Sequence, residues 1–177
     1  YSTVYAPGEI KVNGYKSYIV SPRTESVITN RHAILAEHVQ KDQKLVTLFS
    51  ESMAQAQADY ITASAEWSRV SRMSKSAVSA SRRLQAQVDA ELKRAILEAM
   101  KMTSKQITLL ESNPERIGSY QLLAPINGRV QQDTAKLGQI VSAGTPLMQL
   151  TDESHLWVEA QVTPAQSEKI SIGSAAL

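Results

Sequence analysis

Residues 18–50, YIVSPRTESVITNRHAILAEHVQKDQKLVTLFS, and residues 120–152, YQLLAPINGRVQQDTAKLGQIVSAGTPLMQLTD, repeat one pattern on either side of a long helical stretch. Pro22 aligns with Pro125 and Val27 with Val130. After one extra residue in the first copy, Ala36 aligns with Gly138, Val39 with Val141, Asp42 with Gly144, Leu45 with Leu147 and Leu48 with Leu150. Self-similarity at fixed spacing marks a duplicated structural unit. A unit cut in two by helices is an unusual architecture, and the cut itself bears on function.

Within each copy, short apolar segments are broken by polar turns, so Val39, Leu45 and Leu48, like Val141, Leu147 and Leu150, are expected in buried strands of a small sheet. Gly138 and Gly144 can take positive φ at turns. The first copy has Ala36 and Asp42 there; Asp tolerates a left-handed turn and Ala resists it, which predicts a different turn at Ala36.

Between the copies the hydrophobic period changes. Met53, Ala56, Tyr60, Ala63, Trp67 and Val70 recur at alternating steps of three and four, the stripe of a coiled-coil helix. Ser50 is its expected N-cap, with Glu51 in the first turn. The stripe fades near Arg72, and Ser74 to Ser81 reads as a turn. A second stripe follows: Leu84, Val88, Leu92, Ala95, Ala99 and Met102. Two such helices make an antiparallel hairpin about 30 Å long. A short helix over Ser104 to Leu110 is expected next, stopped by Asn113-Pro114.

The flanks read as strand. Residues 1–20 mix β-formers with Pro7-Gly8 and Asn13-Gly14, the latter pair favouring a tight hairpin turn. Beyond Asp152, Leu156, Val158, Ala160 and Val162 alternate as a strand, Pro164 opens a short helical turn, and Ile172 begins another strand. The expected fold is therefore α+β: a β-sandwich split into residues 18–50 and 117–151, a helical insertion over 51–116, and a partial further β-domain from 1–17 and 152–177.

The chain has 177 residues, 42% of them hydrophobic but only 5% aromatic, which allows a lean core. A net charge of +2 is too near balance to favour nucleic acid. Without cysteine, a disulfide scaffold and a thiolate metal site are excluded, in keeping with an oxidising compartment. No apolar run is long enough to span a bilayer as a helix. The start at Tyr1, with no signal-peptide pattern, reads as a trimmed fragment, any export signal or membrane anchor lying outside it.

Glu98-Ala99-Met100-Lys101-Met102 matches the sequence in which biotin carrier domains present their modified lysine. A carrier lysine sits at a β-turn joining the two halves of its domain, whereas Lys101 ends a helical stripe, so placement opposes that reading. His32, His38 and His155 have no ligand-like spacing. The five methionines lie mostly on apolar stripes, where packing accounts for them. No nucleophile elbow, HExxH, P-loop or GxGxxG supports catalysis, and no cofactor or metal is expected. Arg69, Arg72 and Lys75 precede the hairpin turn, Arg82 and Arg83 follow it, and no acidic residue occurs from Ser68 through Val88. Clustered like charges repel one another and favour an acidic partner surface, although a solvated helix end explains them equally well.

The order of parts resembles the periplasmic adaptor family (membrane fusion proteins, HlyD-like) of Gram-negative efflux pumps. The resemblance is carried by Ser21-Pro22 with Val39 to Leu48, AQADY (56–60), EWSRV (66–70), LLAPINGRV (122–130), GQIVSAGTPLMQL (138–150) and LWVEAQV (156–162). It implies a split lipoyl-like sandwich interrupted by an α-hairpin, plus part of a β-barrel, and a non-catalytic link between an inner-membrane pump and an outer-membrane channel. Such adaptors form rings, usually hexamers, in the periplasm, anchored to or associated with the inner membrane. Arg, Leu and Ser at the hairpin tip of family members contact the channel. Arg69 matches the arginine, Met73 takes the leucine place, and Ser79 lies about where the serine belongs, with one residue fewer between. With Arg72, Arg82 and Arg83 these form the expected partner-binding tip. The join from Met100 to Leu110 resembles heavy-metal efflux adaptors, with Lys101 in place of a helix-ending glycine. That favours a resistance-nodulation-division pump for metal ions; an ABC exporter partner and a biotin or lipoyl carrier are the alternatives.

Overall fold

The computed structural model describes residues 3–113, 116–154 and 156–175. Among these residues ten strands and four α-helices follow in order: β1 (Gly8–Val12), β2 (Ser17–Val20), β3 (Ser26–Arg31), β4 (His38–Val39), β5 (Lys44–Phe49), α1 (Glu51–Arg72), α2 (Ala80–Ala99), α3 (Ser104–Ser112), β6 (Ser119–Leu123), β7 (Gly128–Asp133), β8 (Ile140–Val141), β9 (Met148–Thr151), β10 (Leu156–Ala160) and α4 (Pro164–Ser167). The chain is α+β, as the alternation of strand and helix periods predicts.

Two four-stranded antiparallel sheets, ordered β2-β9-β7-β4 and β6-β5-β3-β8, share one core. Each sheet draws two strands from each copy, so neither copy could form its sheet alone. Leu45, Leu48, Leu147 and Leu150 are all but fully buried, each worth about 1.5–3 kcal/mol relative to exposure.

The copies are related by a constant step along the chain, shown by Arg31 and Asp133, which are 102 residues apart and form an ion pair with each other. Matching bonds repeat it: Ala36 N–H donates to Val130 O and Gly138 N–H to Ile28 O, both at 2.8 Å. Asp42 N–H donates to Ala124 O and Gly144 N–H to Pro22 O, again at 2.8 Å. Pro22 therefore corresponds to Ala124 rather than Pro125, and Ile28 rather than Val27 to Val130. The expected extra residue does not exist; chance identities at Pro125 and Val130 suggested it. Burial agrees, because Ile28 and Val130 are both buried while Val27 is only half so. The turn at Ala36 also departs from expectation. Its φ is 67°, beside 77° at Gly138, so the alanine keeps the turn of its mate. The bond to Val130 holds it there against a cost of about 1–2 kcal/mol.

The flanks differ in detail. Asn13 caps a 3-10 turn over Gly14–Lys16, its Oδ1 accepting from Tyr15 N–H at 3.0 Å, and makes no hairpin. β1 pairs instead with β10 in a separate two-stranded ribbon. Residues 171–174 form a turn closed by Ser174 N–H to Ser171 O, not the strand expected from Ile172. The expected stop at Pro114 and the histidine at 155 lie outside the described residues.

Candidate functional site: the helical hairpin and its tip

α1 leaves the end of β5, and α3 returns the chain to β6, the neighbour of β5. Ser50 Oγ accepts from Met53 N–H at 3.4 Å, the expected N-cap. The two ends of the insertion are joined where Ser50 N–H donates to Gly118 O at 3.0 Å. Gln57, a polar residue that the apolar stripe passes over, is completely buried beside this joint. Its Oε1 accepts from Gly118 N–H at 2.7 Å, and its amide donates to Ser119 O at 3.4 Å. Gly118 is the one residue that fits: its φ is +86°, and a Cβ would lie 2.4 Å from the Phe49 ring.

Along α1, Met53, Tyr60, Ala63 and Val70 are buried as expected, with Ala56 and Trp67 half-buried. Tyr60 donates to Glu111 of α3 at 2.8 Å, and Ser64 to the same oxygen at 2.7 Å. Burial, reinforced by that carboxylate, raises the Tyr60 pKa.

α2 overturns its sequence reading. Its buried residues are Ala90 and Leu97, with Arg83, Ala86 and Lys93 half-buried beside them. The expected apolar face points outward: Leu84 is 61% exposed, Val88 53% and Leu92 55%. Of the predicted stripe, only Met102, beyond the helix, is buried. Small Ala86 and Ala90 let the helices approach, while cationic stems cover the seam and pair across it. Lys93 Nζ meets Asp59 at 3.1 Å, and the hydrogen bonds from Gln55 and then from Lys93 lower the Asp59 pKa.

At the tip, Glu66 organises two of the predicted cations. Arg69 binds it through Nε at 3.0 Å and Nη2 at 2.6 Å, and Arg82 reaches it across the hairpin at 2.8 Å. Arg69 first, then Arg82, hold the Glu66 carboxyl below its ordinary range. Arg83 donates to Ser71 O at 3.1 Å and Met73 O at 2.8 Å, satisfying carbonyls at the end of α1. Ser79 is the N-cap of α2, its Oγ accepting from Arg82 N–H at 3.2 Å. Met73 is partly exposed where α1 ends. Arg72 bonds only the Ser68 hydroxyl, at 2.7 Å, and among the described residues neither Arg72 nor Lys75 meets a carboxylate. The structure thus brings all six expected tip residues together, but three of the arginines and the serine hold the tip's own conformation. Glu66 was missed because it lies just before the acid-free stretch; an i,i+3 search from Arg69 would have found it.

Lys101 sits after α2 with φ 69°. Its N–H donates to Glu98 O at 2.9 Å, and Met102 N–H donates to Leu97 O at 3.1 Å. This is a Schellman helix end, with buried Leu97 and Met102 making its apolar contact. It is not a turn between β-halves, so the geometry removes the carrier reading. Among the described residues no three His, Asp or Glu side chains gather as a metal site, and no helix is long and apolar enough to cross a membrane.

A sandwich interleaved from two chain segments, with helices inserted at one strand exit, defines a class. The chain matches the CzcB-like, barrel-sandwich hybrid domain family over residues 16–152 and belongs to it. It is similar to the cobalt-zinc-cadmium resistance protein CzcB of Cupriavidus metallidurans, 25% identical over 181 residues that cover 98% of this chain and 35% of the relative. The cation efflux system protein CzcB of an Alcaligenes species matches with the same identity and coverage. The chain thus spans 35% of the length of these curated relatives. Among solved structures, ZneB from Cupriavidus metallidurans aligns with a TM-score of 0.55 at 23% identity, covering 94% of this chain and 73% of that one. A MacA–MexA chimera carrying the Pseudomonas aeruginosa MexA α-hairpin aligns with a TM-score of 0.55 at 15% identity, over 94% and 59% of the two chains. These likenesses are of fold.

Proposed function

We propose that the chain is the sandwich-and-hairpin part of a non-catalytic periplasmic adaptor, joining an inner-membrane efflux pump to an outer-membrane channel for export of metal cations. The observation that carries this reading is the stapled hairpin projecting from the split sandwich, with cations at its tip, in a chain of the CzcB-like family. The printed names of the relatives, a cobalt-zinc-cadmium resistance protein and a cation efflux system protein, favour metal ions as cargo. Residues 1–17 and 152–177 supply part of a β-barrel: the β1–β10 ribbon turns Ile10 and Val158 to one face, and a lone two-stranded ribbon is marginally stable. Residues 18–50 and 117–151 form the lipoyl-like domain, and 51–116 the hairpin with its following helix. Copies assemble head to tail into a ring, a hexamer in the complete pump.

The tip meets an acidic surface on the channel. Arg72 and Lys75 are the cations left for it, since Arg69 and Arg82 are occupied by Glu66. Arg72→Asp with Lys75→Asp in the full-length protein should reduce crosslinking to the channel and metal resistance without changing the melting temperature. Undiminished crosslinking would remove the tip from the contact.

A further inference from the structure

The chain has no cysteine, so the thioethers of its five methionines are its most readily oxidised groups. The fold treats them unequally. Met53, Met102 and Met148 are buried, and the Sδ of Met102 accepts from the Gln57 amide at 3.5 Å. Met100 is half-buried against the core. Met73 alone of the five is exposed, at 37%, and exposure is what admits an oxidant to a thioether.

Met73 stands where the tip leaves α1. Its N–H donates to Val70 O at 3.2 Å and its carbonyl accepts from Arg83 Nη2 at 2.8 Å, so a fixed backbone holds the side chain outside. Val70 and Val78, before and after it in the chain, are buried instead. Arg72 and Lys75 flank Met73 in sequence, and among the described residues neither meets a carboxylate. Uncompensated cations concentrate an anionic oxidant such as hypochlorite.

We propose that Met73 is an oxidation switch: hypochlorite or hydrogen peroxide converts it to methionine sulfoxide, and the oxidised tip no longer docks. The sulfur gives up two electrons and takes the oxidant's oxygen. Hypochlorous acid leaves as chloride and a proton, hydrogen peroxide as water. The apolar thioether becomes a strong acceptor that must shed its water when a partner covers it. The fold is unaffected, because the side chain is exposed. A sulfoxide reductase reverses the step, two thiols giving a disulfide and water. The site of oxidation stands on exposure; its effect on docking rests on the tip reading above.

Limiting hypochlorite added to the folded chain, followed by peptide mass mapping, should oxidise Met73 on the order of tenfold faster than any other methionine. Unfolding in urea should erase the difference. Met100 or a buried methionine reacting as fast as Met73 in the folded chain overturns the site. For docking, Met73→Gln imitates the polarity of the sulfoxide, and Met73→Leu keeps the apolar volume without the sulfur. In the full-length protein Met73→Gln should lower crosslinking to the channel about tenfold. Met73→Leu should leave it unchanged, and both variants should keep the native melting temperature. Full crosslinking by Met73→Gln, or equal loss in both variants, overturns the switch and leaves the tip contact standing. An unsubstituted protein that does not crosslink through its tip overturns the tip reading and the switch together, leaving Met73 only as the oxidised residue.

Discussion

Among the described residues, three that are not glycine, Ala36, Asp42 and Lys101, adopt left-handed backbone with φ near 67–69°. At Ala36 and Lys101 no side-chain bond among the described residues rewards that conformation, so glycine should be better tolerated than the native residue. Ala36→Gly and Lys101→Gly should each stabilise the fold by about 0.5–1 kcal/mol, after allowing for the greater freedom of glycine in the unfolded chain. Thermal melts would read this as a rise in Tm. Both conformations belong to turns whose hydrogen bonds the sequence does not display, which is why Ala36 is misread while Gly138 is not. Glu66 carries a pH dependence of definite sign. Its folded pKa lies below the ordinary carboxylate value of 4.5, so its pairing with Arg69 and Arg82 is complete above that value. The pairing is lost as pH falls through the lowered folded pKa. An acid titration followed by the arginine Nε–H resonances should show this for Arg69 and Arg82, and Glu66→Gln should abolish it.

Among the elements, the helices show how far periodicity carries. The α1 stripe is legible because its large residues and its buried side coincide. α2 is misread because its largest apolar residues face outward and two alanines with the stems of Arg83 and Lys93 form the seam. Periodicity locates an apolar face; it does not say whether the partner belongs to the same chain. Gln57 is the converse case, a polar side chain buried because the Gly118 amide needs an acceptor where strand and helix meet. Gln57→Ala should cost about 2–4 kcal/mol in urea denaturation, combining an unsatisfied N–H with a cavity. Gln57→Leu restores the volume but not the acceptor and should recover only part of that loss. The tip residues were legible as a cluster, whereas their division into structural and available cations was not, since that depends on Glu66 reaching across the hairpin.

For the whole molecule, interleaving makes the two halves thermodynamically one body. Leu48 and Leu150 occupy equivalent sites in opposite sheets, both fully buried. Leu48→Ala and Leu150→Ala should each cost about 2–5 kcal/mol and should move the same single unfolding transition. Methyl resonances of Leu48 and Leu150 that melt at different temperatures would show that the sheets fold apart. The duplication itself was plain in the sequence, but strand exchange between copies was not, because alignment reveals likeness and says nothing of which strands become neighbours. The staple between Ser50 and Gly118 has one more consequence. With both ends of the excursion fixed at one point of the sheet, the span of the projection is uncoupled from the body that carries it. Adding seven residues to each arm would extend the reach by about 10 Å and leave the sandwich untouched, so arm length alone sets how far the hairpin reaches.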